Sequence, residues 1–168
     1  SGPNTANPHA VPSDRVIEKG DFVLMDYGAG YCDYRSDMTR TVVMGEPTQE
    51  QLDLYALVRR THEECVAAIH PGVAGNDIFK LSKKIIGDAG YGDYYNHGLG
   101  HGVGIDIHEL PNFNRSKNTI EVGSVITMEP GVYLPGVGGV RLEDYGVVTE
   151  NGYEPFTKTP HDLHVIDC

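Results

Sequence analysis

The spacing of apolar positions changes period twice along the chain. DFVLMDYG (21–28) and DMTRTVVM (37–44) are short apolar and β-branched runs on either side of the turn-prone GAGYCDYRS, which predicts an antiparallel hairpin. The next stretch, EPTQEQLDLYALVRRTHEECVAAIHPG, predicts a helix. Thr48 and Gln51 have capping-box spacing, Leu52, Tyr55, Val58, Cys65, Val66 and Ile69 recur at helical intervals, and Pro71-Gly72 stops the run. A second helix is expected from near Asn76, with Ile78, Leu81, Ser82, Ile85 and Ile86 on one face, ending in the glycines around Gly87 and Gly90. Beyond it, SVITMEPGVYLPGVGGVRLEDYGVVT (124–149) predicts two strands joined at PGVGG. The order strand, strand, helix, helix, then mostly strand is that of an α+β fold with helices on one face of a curved antiparallel sheet.

Composition narrows the partners. With 168 residues, 39% of them hydrophobic, the chain is sized for one globular domain with a real core. A formal charge of −11, from 24 acidic against 13 basic residues, repels phosphate backbones and anionic bilayers, so neither nucleic acid nor membrane is an expected partner. No apolar run approaches the roughly 18 residues of a membrane span, and the Ser-Gly-Pro start lacks a signal-peptide pattern. Cys32, Cys65 and Cys168 are odd in number and have no metal-type spacing, as expected of reduced thiols in cytoplasm.

Two acidic residues sit inside apolar strand sequence: Asp26 in FVLMDYG and Glu129 in SVITMEPGVY. An isolated carboxylate there is expensive to bury. Folding the first hairpin about Tyr31 sets Asp26 opposite Asp37, and folding the second about Gly136 sets Glu129 opposite Glu143. Facing like charges destabilise a sheet unless a counter-ion joins them, and two divalent cations would neutralise four carboxylates. This charge count predicts a dinuclear metal centre. Asp21, Asp33, Asp53 and Asp144 are more easily solvated and are read as surface residues.

HGLGHGVGIDIHELP (97–111) lies between these hairpins. Gly98, Gly100, Gly102 and Gly104 each disfavour a helix by up to roughly 1 kcal/mol, so His97 and His101 are not a helical zinc pair. In an extended chain, residues four apart share a face, and both histidines can enter one pocket while the glycines let other groups approach. Which histidine of His97, His101 and His108 holds metal stays open at this level.

The fragments SGPNTANPHA, LMDYGAGYCDYRSDMTRT, HGLGHGVGIDIHELP, ITMEPGVYLPG and VRLEDYGVVT together resemble the Xaa-Pro dipeptidases (prolidases) and the related aminopeptidase P. These are pita-bread metallopeptidases of the creatinase/aminopeptidase fold, a group that includes methionine aminopeptidase. The resemblance covers almost the whole chain. It implies metal ligands at Asp26, Asp37, His101, Glu129 and Glu143: Asp26 on one ion, His101 and Glu129 on the other, Asp37 and Glu143 bridging. It implies substrate-side roles for His9, His97 and His108, and support from Tyr133 and Arg141 behind the metals; Arg141 is two residues from Glu143 on a strand and so shares its face.

The implied chemistry is hydrolysis of the Xaa-Pro bond at the N-terminus of dipeptides or short peptides, by a hydroxide bridging two divalent ions roughly 3.5–4 Å apart. His108 stabilises the developing oxyanion, Glu129 shuttles the proton to the proline nitrogen, and His9 and His97 form part of the proline-side pocket. Four carboxylates and one imidazole suit Mn²⁺, with Co²⁺, Zn²⁺ or Fe²⁺ as alternatives. In the family this segment is preceded by further helices and a strand, so residues 1–168 are read as a C-terminal catalytic domain lacking its first elements, with exposed sheet edge and a homodimer expected of the full-length protein. Methionine aminopeptidase-like activity, or a non-catalytic binding role as in fold relatives that have lost the ligands, are the alternative readings.

Overall fold

The structure is a computed structural model and describes residues 1–114 and 117–167. After a 3₁₀ turn at Gly2–Ala6, the chain forms the strands β1 (Phe22–Tyr27), β2 (Gly30–Tyr31), β3 (Tyr34–Arg35) and β4 (Met38–Met44). The helices α1 (Gln49–Ala67) and α2 (Gly75–Asp88) follow. Then come β5 (Gly100–Gly102), β6 (Glu109–Phe113), β7 (Val125–Met128), β8 (Gly131–Leu134), β9 (Gly138–Arg141), β10 (Asp144–Thr149), β11 (Gly152–Pro155) and β12 (His164–Ile166). This is the expected α+β order.

α1 starts where its capping box predicts: the Thr48 hydroxyl accepts from the Gln51 N–H, and the Gln51 side chain accepts from the Thr48 N–H. Tyr55, Val58 and Cys65 are buried as expected, whereas Leu52 is exposed and Leu54 takes the inward place. α2 buries Ile78, Ser82, Ile85 and Ile86. Two apolar clusters join these helices to the strands. One packs Leu54, Tyr55, Val58 and Ile86 against Phe22, Val43, Val132, Val140 and Leu142; the other packs Cys65, Ile69 and Ile78 against Leu99, Phe113, Ile126, Met128 and Val148.

The strands form a three-stranded sheet, β1-β4-β12, and a five-stranded sheet, β11-β10-β7-β5-β6, with β2-β3 and β8-β9 as separate ladders. Pairing is antiparallel except that β12 runs parallel to β4. The run 124–149, expected as two strands, is four. Pro130 has no N–H to give to a ladder, so the long hairpin breaks between β7 and β8. Its register survives the break: Met128 pairs with Asp144 on one side of it and Gly131 with Arg141 on the other.

Among the described residues no helix is long and apolar enough to cross a membrane. Cys32 is exposed and Cys65 buried, both free thiols; Cys168 lies outside the described residues.

Candidate functional site

One row of residues crosses the junction of the hairpins. Asp26 on β1 pairs with Thr39 on β4, Thr39 bridges to Glu143, and the register common to both ladders sets Glu143 against Glu129. The expected opposition of Glu129 and Glu143 is therefore met. That of Asp26 and Asp37 is not: the first hairpin turns at Cys32-Asp33, both with positive φ (48° and 70°), and this moves Thr39 opposite Asp26. Asp37 lies two residues before Thr39, on the diagonal of the same face. Positive φ at two successive non-glycine residues is what hid this turn from the sequence, because that geometry normally advertises itself with Asn-Gly or Asp-Gly.

β5 delivers His101 to the same place. A Cβ on Gly100 would sit 2.2 Å from the Thr127 carbonyl oxygen and one on Gly102 2.3 Å from that of Leu110, so glycine lets β5 close against both neighbours. The His101 N–H donates to the Thr127 hydroxyl at 3.0 Å. Nδ1 of His101 lies 3.0 Å from the Gly102 carbonyl, which can only accept, so Nδ1 carries the proton and Nε2 presents its lone pair. Nε2 faces Glu129 Oε1 at 3.5 Å and Asp37 Oδ2 at 3.7 Å. Asp37, His101 and Glu143 each offer a ligand atom within 4.8 Å of the others.

The electrostatics of this cluster are unbalanced. Burial, then the charges of Glu129 and Asp37, push the Glu143 carboxyl well above the carboxylate range. Burial raises Glu129 and Asp37 in the same direction; Arg141 opposes it at both, while the Asp26 charge reinforces it at both. Among the described residues, Asp37, Glu129 and Glu143 have no Lys or Arg ion pair; Arg141 takes Asp26, Nη2 to Oδ2 at 2.5 Å. An all-oxygen set with one neutral imidazole, short of positive charge, suits divalent cations.

Arg141 and Tyr133 brace the site from behind. Arg141 is 2% exposed and donates to Asp26, the Tyr133 hydroxyl (3.0 Å), the Thr39 hydroxyl (3.1 Å) and the Pro8 carbonyl (3.2 Å). Tyr133 in turn donates to His97 Nε2 at 2.8 Å, and His97 Nδ1 donates to the Gly98 carbonyl at 2.6 Å. With both nitrogens engaged, His97 presents its ring surface rather than a hydrogen bond. Burial holds its pKa down at about 4, so the ring is neutral. His9 and His108 are exposed, the His108 ring 4.3 Å from that of His101. A cavity of about 230 Å³ is lined by Asp26, Asp37, His101, Glu129, Glu143, His9, His97, His108 and Arg141, together with Pro8 and Asn112. Tyr133 alone of the expected site residues stands outside this lining.

The sequence reading missed three residues and misplaced two. Thr39 donates to Glu143 Oε2 at 2.6 Å, Thr127 anchors His101, and Arg40 is buried on the opposite face of β4. The polar interruption in MTRTVV was the one available signal for Thr39 and Arg40. Asp144, read as solvated, is 1% exposed and paired with Arg40 at 2.6 Å. Asp21, also read as solvated, is 8% exposed and paired with Arg15 at 2.5 Å. In both cases an arginine compensates the charge: Arg40 is 104 residues away and out of reach of local pattern, whereas Arg15 is only six residues before Asp21.

Comparison with known proteins gives a consistent picture. The profile of metallopeptidase family M24 matches residues 1–150. The Xaa-Pro dipeptidase of Pyrococcus furiosus is 46% identical over 164 residues, 97% of this chain and 47% of the relative. The solved prolidase of Pyrococcus horikoshii superposes with a TM-score of 0.94 at 43% identity, covering 96% of this chain and 47% of that one. An X-Pro aminopeptidase from Thermotoga maritima gives 0.95 at 36% identity, over 98% of this chain and 47% of that one. The chain thus spans about half the length of the relatives it matches.

Proposed function

The chain belongs to metallopeptidase family M24 and has its pita-bread fold, and from that premise we propose that it hydrolyses the Xaa-Pro bond at the N-terminus of dipeptides or short peptides with two divalent ions. The observation that carries this reading is the gathering of Asp37, Glu129 and Glu143 around Nε2 of His101 with no Lys or Arg ion pair to these three carboxylates among the described residues. Asp26, Asp37, His101, Glu129 and Glu143 would together hold the two ions. Mn²⁺ is the preferred occupant, because the donors are mostly hard oxygens and include no thiolate. When bound, the two ions supply Lewis acidity and make water acidic enough to be a nucleophile near neutral pH.

The chain's own residues do the rest. Glu129, set opposite Glu143 and lining the cavity, takes the proton of the attacking water and passes it to the leaving proline nitrogen. That nitrogen is a tertiary amide with no N–H, so proton delivery is the step that needs a positioned acid. His108, exposed at the rim beside His101, donates to the oxygen on which negative charge develops. His97 and His9 wall the proline side, His97 as a fixed neutral ring. Arg141 and Tyr133 are positioning residues that act through Asp26 and His97.

The test compares Ala-Pro, Ala-Pro-Ala and Met-Ala as substrates of the Mn²⁺-charged chain. Metal-dependent release from the proline peptides in preference to Met-Ala is expected. Preference for Met-Ala would move the chain to the methionine aminopeptidase reading, and absence of any metal-dependent cleavage would overturn the assignment.

A further inference from the structure

On the helix-facing side of the same sheet junction lies a second group of donors that the peptidase reading does not use. Strand alternation explains its place. Thr39 and Thr41 reach the carboxylate side, so Arg40 between them emerges on the other side and meets Asp144, the neighbour of Glu143. α1 contributes His62 and the segment ahead of β12 contributes His161. Asp144 Oδ1 is held by Arg40 Nη2 at 2.6 Å, which leaves Oδ2 to the imidazoles: 2.6 Å from His161 Nε2 and 3.4 Å from His62 Nε2. The two rings meet edge to face at 5.0 Å.

His62 is the anomaly. It is 2% exposed, and neither ring nitrogen has a hydrogen-bond partner among the described residues. Buried polar atoms are nearly always satisfied, so an orphaned imidazole aimed at a carboxylate and a second imidazole points to a missing partner. We propose that His62, Asp144 and His161 bind one transition-metal ion of the zinc type, at a site separate from the carboxylate centre.

Geometry and donor chemistry agree. Tetrahedral zinc with bonds near 2.0–2.2 Å sets its ligand atoms about 3.4 Å apart. The His62–Asp144 separation of 3.4 Å already has that spacing, and the His161–Asp144 contact opens from a hydrogen bond when the ion enters. Two imidazoles and one carboxylate favour zinc-like ions over Mn²⁺, unlike the oxygen-rich set on the other face. His62 is neutral, as a ligand must be, since burial lowers its pKa to about 4. The His161 side chain is 29% exposed, so solvent reaches the fourth position. Arg40 is the charge that opposes a cation here. Its other hydrogen bonds go to the carbonyls of Thr39, Glu143 and Thr159, and it orients the ligating carboxylate as an outer partner. An ion so placed ties α1, β10 and the C-terminal segment together.

The inference does not rest on the peptidase assignment, and the test separates them. In the full chain carrying Asp37→Asn and Glu129→Gln to disable the carboxylate centre, equilibrium dialysis should find one tightly held equivalent of Zn²⁺. Substitution by Co²⁺ should give the intense visible absorption of a four-coordinate ion with nitrogen donors. Adding His161→Ala, at the accessible edge where folding is least at risk, should abolish both, and in the otherwise unaltered chain His161→Ala should lower bound Zn²⁺ by one equivalent. No Zn²⁺ retained by the double variant, or retention unaffected by His161→Ala and by His62→Gln, would overturn the proposal.

Discussion

At the residue scale, the proposed function divides the site between groups that would meet the substrate and groups that hold others in place. His108 is assigned to the first kind by that proposal, because it is exposed and its ring lies 4.3 Å from that of His101. His108→Ala should lower kcat by about 10²–10³ while metal content, read by elemental analysis, stays as in the parent. Arg141 is the second kind. A guanidinium spans Asp26, Tyr133, Thr39 and Pro8 at once, whereas an ammonium is a point donor and leaves some of these buried acceptors unmet. Arg141→Lys should therefore weaken metal binding about 10–100-fold in competition with a chelator, although the charge is conserved. Equal affinities in parent and variant would show that charge alone matters there.

At the element scale, the glycines of β5 decide whether the donors converge. Gly100→Ala places a Cβ against the Thr127 backbone, which cannot swing aside as a side chain can. The expected cost is about 1–3 kcal/mol of stability by thermal melting, with a parallel loss of metal affinity as β5 and His101 retreat from β7. This scale also shows what sequence can reveal. The α1 capping box and the Glu129–Glu143 opposition were legible because each depends on residues close in sequence or on one symmetric turn. The Asp26–Asp37 pairing was misread by the position of the Cys32-Asp33 turn, whose residues lack the glycine that such a turn usually shows. The break at Pro130 was visible in the sequence and went unused. The Arg40–Asp144 pair, joining β4 to β10, was out of reach because it depends on which hairpins meet.

At the scale of the whole molecule, the sheet junction carries charge on both faces, and stability should report it. On the carboxylate face, metal-free protein holds three acids raised by burial and mutual repulsion. Mn²⁺ at about 100 times its Kd should therefore stabilise the fold by about 2.7 kcal/mol for each site filled, seen as a rise in Tm that a chelator reverses. On the helix face the sign runs with protons. Burial holds the folded-state pKa of His62 at about 4, below the ordinary histidine value of 6.5, so between these values the unfolded chain binds the extra proton and the folded one does not. Stability from this residue is complete above about pH 6.5 and is lost as pH falls toward 4. In chelator-treated protein, the drop in unfolding free energy between pH 7 and pH 5 should be larger in the parent than in His62→Gln by about 2 kcal/mol. The carboxylates of the opposite face, Asp37, Glu129 and Glu143, are common to both proteins and cancel in this comparison, and equal drops would mean that His62 is already protonated or solvated in the fold.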